Sequence, residues 1–97
     1  MLDGESVFEL KKNIVVRGLG EKCWAFDTDS GKQYRLNGVS CDVLSMLDGK
    51  KRVDEIIDIQ IKHYNVDRET LFFDVLTFLE KAAEKNIVKE VIGDERV

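Results

Sequence analysis

Few residues in this chain of 97 could do covalent chemistry. It carries one histidine, His63, and two cysteines, Cys23 and Cys41. His63 falls at the end of a predicted helix, where a solvated imidazole near the negative end of the dipole is expected rather than a general base. Cys23, Cys41 and His63 do not have zinc spacing, and nothing like C-x-x-C appears. A disulfide framework is not expected from two cysteines, which read as small packing residues and reduced thiols. Gly18 and Gly20 make G-x-G alone, which means no more than a turn. There is no phosphate loop and no G-x-S-x-G. The many carboxylates alternate with lysines on helix faces and read as solvated surface. The expectation is no catalytic residue, no metal ligand and no cofactor. An enzyme using Cys23 or Cys41 as its nucleophile would at minimum need a thiol that alkylates selectively near neutral pH.

The chemistry that remains is that of the backbone. A strand with one unpaired side presents N–H and C=O groups on which another peptide can add. Lys32, Gln33, Tyr34, Arg35, Leu36 and Asn37 are the candidate. Tyr34 and Leu36 share one face while Gln33 and Arg35 share the other, which suits a sheet covered on one side. One of Gln33 and Arg35 is expected to point its N–H outward.

The neighbouring elements must hold that strand in place. Ile14-Val15-Val16-Arg17, bounded by Gly18 and Gly20, reads as a first strand. Residues 23–28 and 32–37 flank Asp29-Ser30-Gly31, a hairpin signal, with Trp24 and Phe26 as the bulky face of the first arm. At Val39 the period changes. Val39, Val43 and Leu47 recur at helical spacing, with Asn37 or Ser40 as cap and Asp48-Gly49 as a left-handed stop. After the basic loop Lys50-Lys51-Arg52, a second helix is predicted over residues 53–63, burying Val53, Ile56, Ile57 and Ile61. Its acidic start, Asp54 and Glu55, suits the helix dipole. Asp67 then caps a third helix over residues 68–85. Leu71, Phe72, Val75, Leu76, Phe78, Leu79, Ala82 and Ala83 give it an apolar arc wider than one buried stripe needs, and Phe73 falls outside that arc. Residues 1–12 read as a loosely ordered N-terminus in which Val7, Phe8 and Leu10 pack locally. Residues 87–92 read as a terminal strand or extended tail.

Strands first and helices afterwards predict an α+β fold, with three helices on one face of a three-stranded antiparallel sheet. It is similar to a winged helix-turn-helix with its wing strands moved to the front. The length predicts one domain over residues 1–97. A hydrophobic fraction of 43% with 35% charged residues describes a soluble globular chain. No apolar run approaches the roughly 20 residues that span a bilayer, so a cytoplasmic protein with no membrane partner is expected. A DNA-binding winged-helix regulator is the rival reading. Its reading helix would carry Glu69, Asp74, Glu80 and Glu84 against Arg68, Lys81 and Lys85, in a chain of net charge −4. That helix repels phosphate, so no nucleic-acid partner is expected.

One further pattern spans about residues 14–88. Tyr34-x-Leu36-Asn37, Leu47-Asp48-Gly49, Val53-x-Glu55-Ile56, Tyr64-x-Val66, Asp74-Val75-x-x-Phe78-Leu79 and Asn86-Ile87-Val88 follow one another as in the PqqD family. The chain resembles those peptide chaperones of pyrroloquinoline quinone synthesis and the related recognition elements of ribosomal-peptide modification. Arg52 stands where the family often has a capping Thr or Ser, and Asn86 where Gly is common. The resemblance implies three N-terminal strands, three helices, and a leader peptide that adds as a strand beside the third strand and lies against the third helix. It also implies a partner enzyme, often a radical-SAM protein, that modifies the peptide's core. On this reading the peptide meets residues 32–37 and a second wall formed by Glu69, Phe72, Phe73 and Leu76. The chain itself is expected to be a monomer or weak homodimer.

Overall fold

The computed structural model describes residues 4–19 and 22–91. Five strands and three helices follow in the order β1 (Phe8–Leu10), β2 (Ile14–Leu19), β3 (Lys22–Asp27), β4 (Gln33–Leu36), α1 (Gly38–Met46), α2 (Val53–Gln60), α3 (Arg68–Glu84) and β5 (Val88–Glu90). The fold is α+β. Strands β2, β3 and β4 form an antiparallel sheet in that order, and the three helices follow it in sequence.

Side-chain alternation explains why the helices cover one side of this sheet. Ile14, Cys23, Ala25 and Leu36 are buried in the core with Val43 and Leu44 of α1, Val53, Ile56 and Ile57 of α2, and Leu71, Val75 and Leu79 of α3. Val15, Trp24 and Phe26 stand on the opposite face, where Val15 pairs with Phe26, and Arg17 and Arg35 flank Trp24. Asp27 closes the sheet's far end. Its carboxylate accepts from the Asn13 side chain at 2.9 Å and from the Asp29 amide at 2.9 Å. The Asn13 bond comes first among the causes that draw its pKa from 3.8 to about 2. Gly31 completes the turn at φ 77°, a left-handed value that glycine reaches without strain.

Three expectations are corrected. The N-terminal segment is not loose: β1 pairs with β5 in a second antiparallel ladder, Phe8 opposite Glu90 and Leu10 opposite Val88. Phe8 is buried to 1% exposure, so this ladder joins the two ends of the described chain through the core. Cys23 and Cys41 are not separate thiols. Strand β3 and helix α1 bring their Cα atoms to 6.2 Å, and the sulfurs form a disulfide. Helix α2 ends at Gln60 rather than residue 63, because the chain turns there: the His63 and Tyr64 amides both return to the Gln60 carbonyl. Gly20 and Ile92 lie outside the described residues.

The caps follow the sequence with two variations. Asn37 accepts from the Ser40 amide at 2.8 Å and starts α1. Arg52 precedes α2 and has no side-chain acceptor to offer; instead the Glu55 carboxylate accepts the Arg52 amide at 3.0 Å. Asp67 begins α3 through its backbone carbonyl alone, without a side-chain bond. Asn86 ends the last turn at φ 61°, the left-handed position that glycine and asparagine share.

Candidate functional site

Strand β4 is the last strand of its sheet, so one of its sides is free of ladder partners among the described residues. The direction of each backbone group follows from the register. Phe26 lies opposite Gln33, and the Asp27 amide donates to the Lys32 carbonyl at 2.9 Å. Phe26–Gln33 is therefore a non-hydrogen-bonded pair, and so is Trp24–Arg35. Tyr34 turns its N–H toward β3, whereas Gln33 and Arg35 both turn theirs to the open edge. Sequence reasoning expected only one of the two; residues two apart on a strand point the same way.

Beside that edge runs a groove between β4, the start of α1, and α3. Near β4 its lining includes Tyr34, Arg35, Leu36, Phe78, Lys81 and Lys85. Farther along it continues over Val39, Val43, Phe73, Asp74, Thr77 and Phe78. Asn37, Ser40, Phe78 and Lys81 belong to both parts and make them one depression. The cap at Asn37 is what joins them, since it turns the chain from the edge strand directly into the α1 wall.

Phe73 is the most exposed large apolar side chain among the described residues, at 70%. Burying an aromatic ring is worth a few kcal/mol, so a ring left in water at a groove wall is available for a partner to cover. At the other end, the Lys85 ammonium lies 5.6 Å from the centroid of the Tyr34 ring.

The predicted residues divide. Tyr34, Arg35, Leu36, Asn37 and Phe73 line the groove. Lys32 and Gln33 lie exposed at the start of the strand and are not part of the groove lining. Glu69, Phe72 and Leu76 occupy another side of α3. Glu69 is exposed in its first turn, Leu76 packs against the core, and the Phe72 ring sits 3.6 Å from where a Cβ on Gly4 would stand. In their place α3 brings Asp74, Thr77, Phe78 and Lys81 to the groove. Helical spacing places neighbours on both sides of Phe73, and only the packing of α1 decides which side is the wall.

No group of three or more potential metal ligands occurs among the described residues. His63 is exposed. The Tyr64 hydroxyl donates to the Asp42 carboxylate, and that bond raises the phenol to about 12. It joins α1 to the turn after α2 and lies away from the groove lining.

Comparison with known proteins gives a consistent picture. The PqqA binding protein of Gluconobacter oxydans (strain 621H) is 35% identical over 57 residues, 59% of this chain and 59% of that protein. The chain thus matches less than two thirds of that relative's length. The solved structure of TbiB1 in complex with the TbiA(beta) leader peptide superposes with a TM-score of 0.74 at 26% identity, covering 84% of this chain and 94% of the other. Lasso peptide synthetase B1 complexed with the leader peptide shares the fold, with a TM-score of 0.69 at 18% identity over 84% of this chain and 96% of that one. Residues 23–88 match the model of coenzyme PQQ synthesis protein D (PqqD), and the chain belongs to that family.

Proposed function

We propose that this protein is a non-catalytic peptide adaptor. It takes the leader segment of a ribosomally made precursor as an added strand on β4, against α3, and presents the rest of the peptide to a modifying enzyme. The observation that carries the reading is the outward pair of N–H groups at Gln33 and Arg35 beside a groove whose far wall exposes Phe73. Backbone bonds along the edge would fix register, and apolar leader side chains in the groove would supply affinity. Two relatives named for peptide binding, one as a PqqA binding protein and one solved with a leader peptide, support the same reading. A radical-SAM enzyme acting in pyrroloquinoline quinone or other modified-peptide synthesis is the partner that fits a PqqD-family chain. Residues 14–88 would form the recognition unit, active in the cytoplasm, and neither cofactor nor metal is required.

Proline scanning of the edge tests this. The leader peptide of a precursor identified among the neighbouring open reading frames is titrated calorimetrically into the wild type, Gln33→Pro and Arg35→Pro. Each proline removes one outward donor without removing a β3–β4 bond. The wild type should bind, and each folded variant should bind at least about tenfold more weakly. Unchanged affinity in both variants, with circular dichroism intact, would overturn strand addition at β4.

A further inference from the structure

The groove is unevenly charged. Arg35, Lys81 and Lys85 all line its Tyr34 end, where no carboxylate accompanies them. None of the three forms an ion pair with a described residue. Lys81 in the last turn of α3 and Lys85 at its C-cap stand four residues apart, close enough for their charges to repel. Cations in the last turns of a helix complement its dipole, but that role needs neither a face turned to the groove nor Arg35 beside it. The chain as a whole is acidic, with 19 Asp and Glu against 15 Lys and Arg. The Tyr34 end is thus a local reversal of charge. Toward the other end the lining turns apolar at Val39, Val43, Phe73 and Phe78, with Asp74 as its one carboxylate.

Resting on the peptide-binding reading, we infer that the groove selects its peptide by charge as well as by shape. The preferred strand carries Asp or Glu where it passes Lys81 and Lys85, and an aromatic or branched aliphatic residue where it meets Phe73; Arg35, whose side chain belongs to the other face of the sheet, adds its charge at the edge only. Helical rise puts Lys81 about 12 Å beyond Phe73. An extended strand crosses that distance in about four residues. An even spacing also keeps both peptide side chains on the one face turned to α3. The two lysines then gain a counter-charge that the fold does not supply, and their mutual repulsion becomes attraction for the ligand.

Selection from a displayed library of random short peptides tests the inference without knowledge of the natural precursor. The full chain and its Lys81→Glu/Lys85→Glu variant serve as baits at low salt, where screening is least. Both positions are exposed, so the variant keeps the core. Peptides selected on the wild type should carry Asp or Glu about four residues from an aromatic or aliphatic anchor. Replacing that carboxylate by Lys in a selected peptide should weaken binding about tenfold. Selection on the variant should return Lys or Arg at the same place. Winners with the anchor but no charge preference overturn charge selection and leave peptide capture standing. Acidic winners that persist on the variant overturn the assignment to Lys81 and Lys85. Absence of any winner sensitive to proline at Gln33 and Arg35 overturns both readings.

Discussion

Phe73 shows at the scale of one residue how the proposed binding wall differs from a core. Leu71, Val75, Leu79 and Ala82 make the buried stripe of α3, while Phe73 stands 70% exposed beside the groove. Its truncation removes little native packing. Phe73→Ala should therefore change unfolding stability by no more than about 0.5 kcal/mol, as surface substitutions do. The same change should cost about 2 kcal/mol in leader-peptide affinity, as for an aromatic anchor at an interface. Parallel urea unfolding and calorimetric titration separate the two; a large loss of stability with unchanged affinity would place Phe73 in the core instead. The sequence already set Phe73 outside the apolar arc, but it offered Glu69, Phe72 and Leu76 as companions. Their alternatives, Asp74, Thr77 and Lys81, look like any solvated helix surface until α1 is seen to pack on that side. Asp27 gives a second residue-scale outcome. Its folded pKa of about 2 lies below the usual 3.8, so its bonds stabilise the fold above pH 3.8. That contribution is lost as pH falls from 3.8 through about 2. Asp27→Asn keeps an acceptor for Asn13 and has no proton to gain. Its thermal midpoint should fall less steeply than the wild type's across that window; identical slopes would assign the acid sensitivity elsewhere.

At the scale of elements, β4 and α1 were readable because each carries its own signal. The Asp29-Ser30-Gly31 turn, the alternation around Tyr34 and the Asn37 cap are all local. Strand β1 was not readable. It has three residues, too few to carry a period, and although residues 87–92 read as a terminal strand or extended tail, nothing local in either segment pairs the two ends of the described chain. What the strand signal left open was the direction of its N–H groups, which the register settles. Tyr34→Pro supplies the control for the edge: its N–H faces β3, so this substitution breaks a sheet bond and lowers stability by about 3 kcal/mol. Gln33→Pro and Arg35→Pro should each cost less than half of that. Equal destabilisation by all three, measured by chemical unfolding, would mean that β4 has no open side.

At the scale of the whole molecule, the second surprise is covalent. Composition gave no reason to pair two cysteines, because the 6.2 Å approach of Cys23 and Cys41 exists only after β3 packs on α1. The bridge closes a loop with a sequence separation of 18, spanning the hairpin and the Asn37 hinge. Replacing both cysteines by serine should lower stability by about 3 kcal/mol, the entropy of closing such a loop. No change in urea midpoint, or free alkylation of both thiols in the native protein, would contradict the bridge. The same scale disposes of duplex recognition, since α3 presents Glu69, Asp74, Glu80 and Glu84 to solvent in a chain of net charge −4. What the molecule offers instead is an edge and a groove held side by side by one hinge. The most direct test of that claim is amide hydrogen exchange, followed by NMR, in the presence and absence of saturating leader peptide. Strand addition at β4 predicts that the Gln33 and Arg35 amides, open in the free protein, become protected together. Tyr34, already bonded to β3, should change far less. Peptide that binds while Gln33 and Arg35 keep exchanging at their free rates would contradict the account.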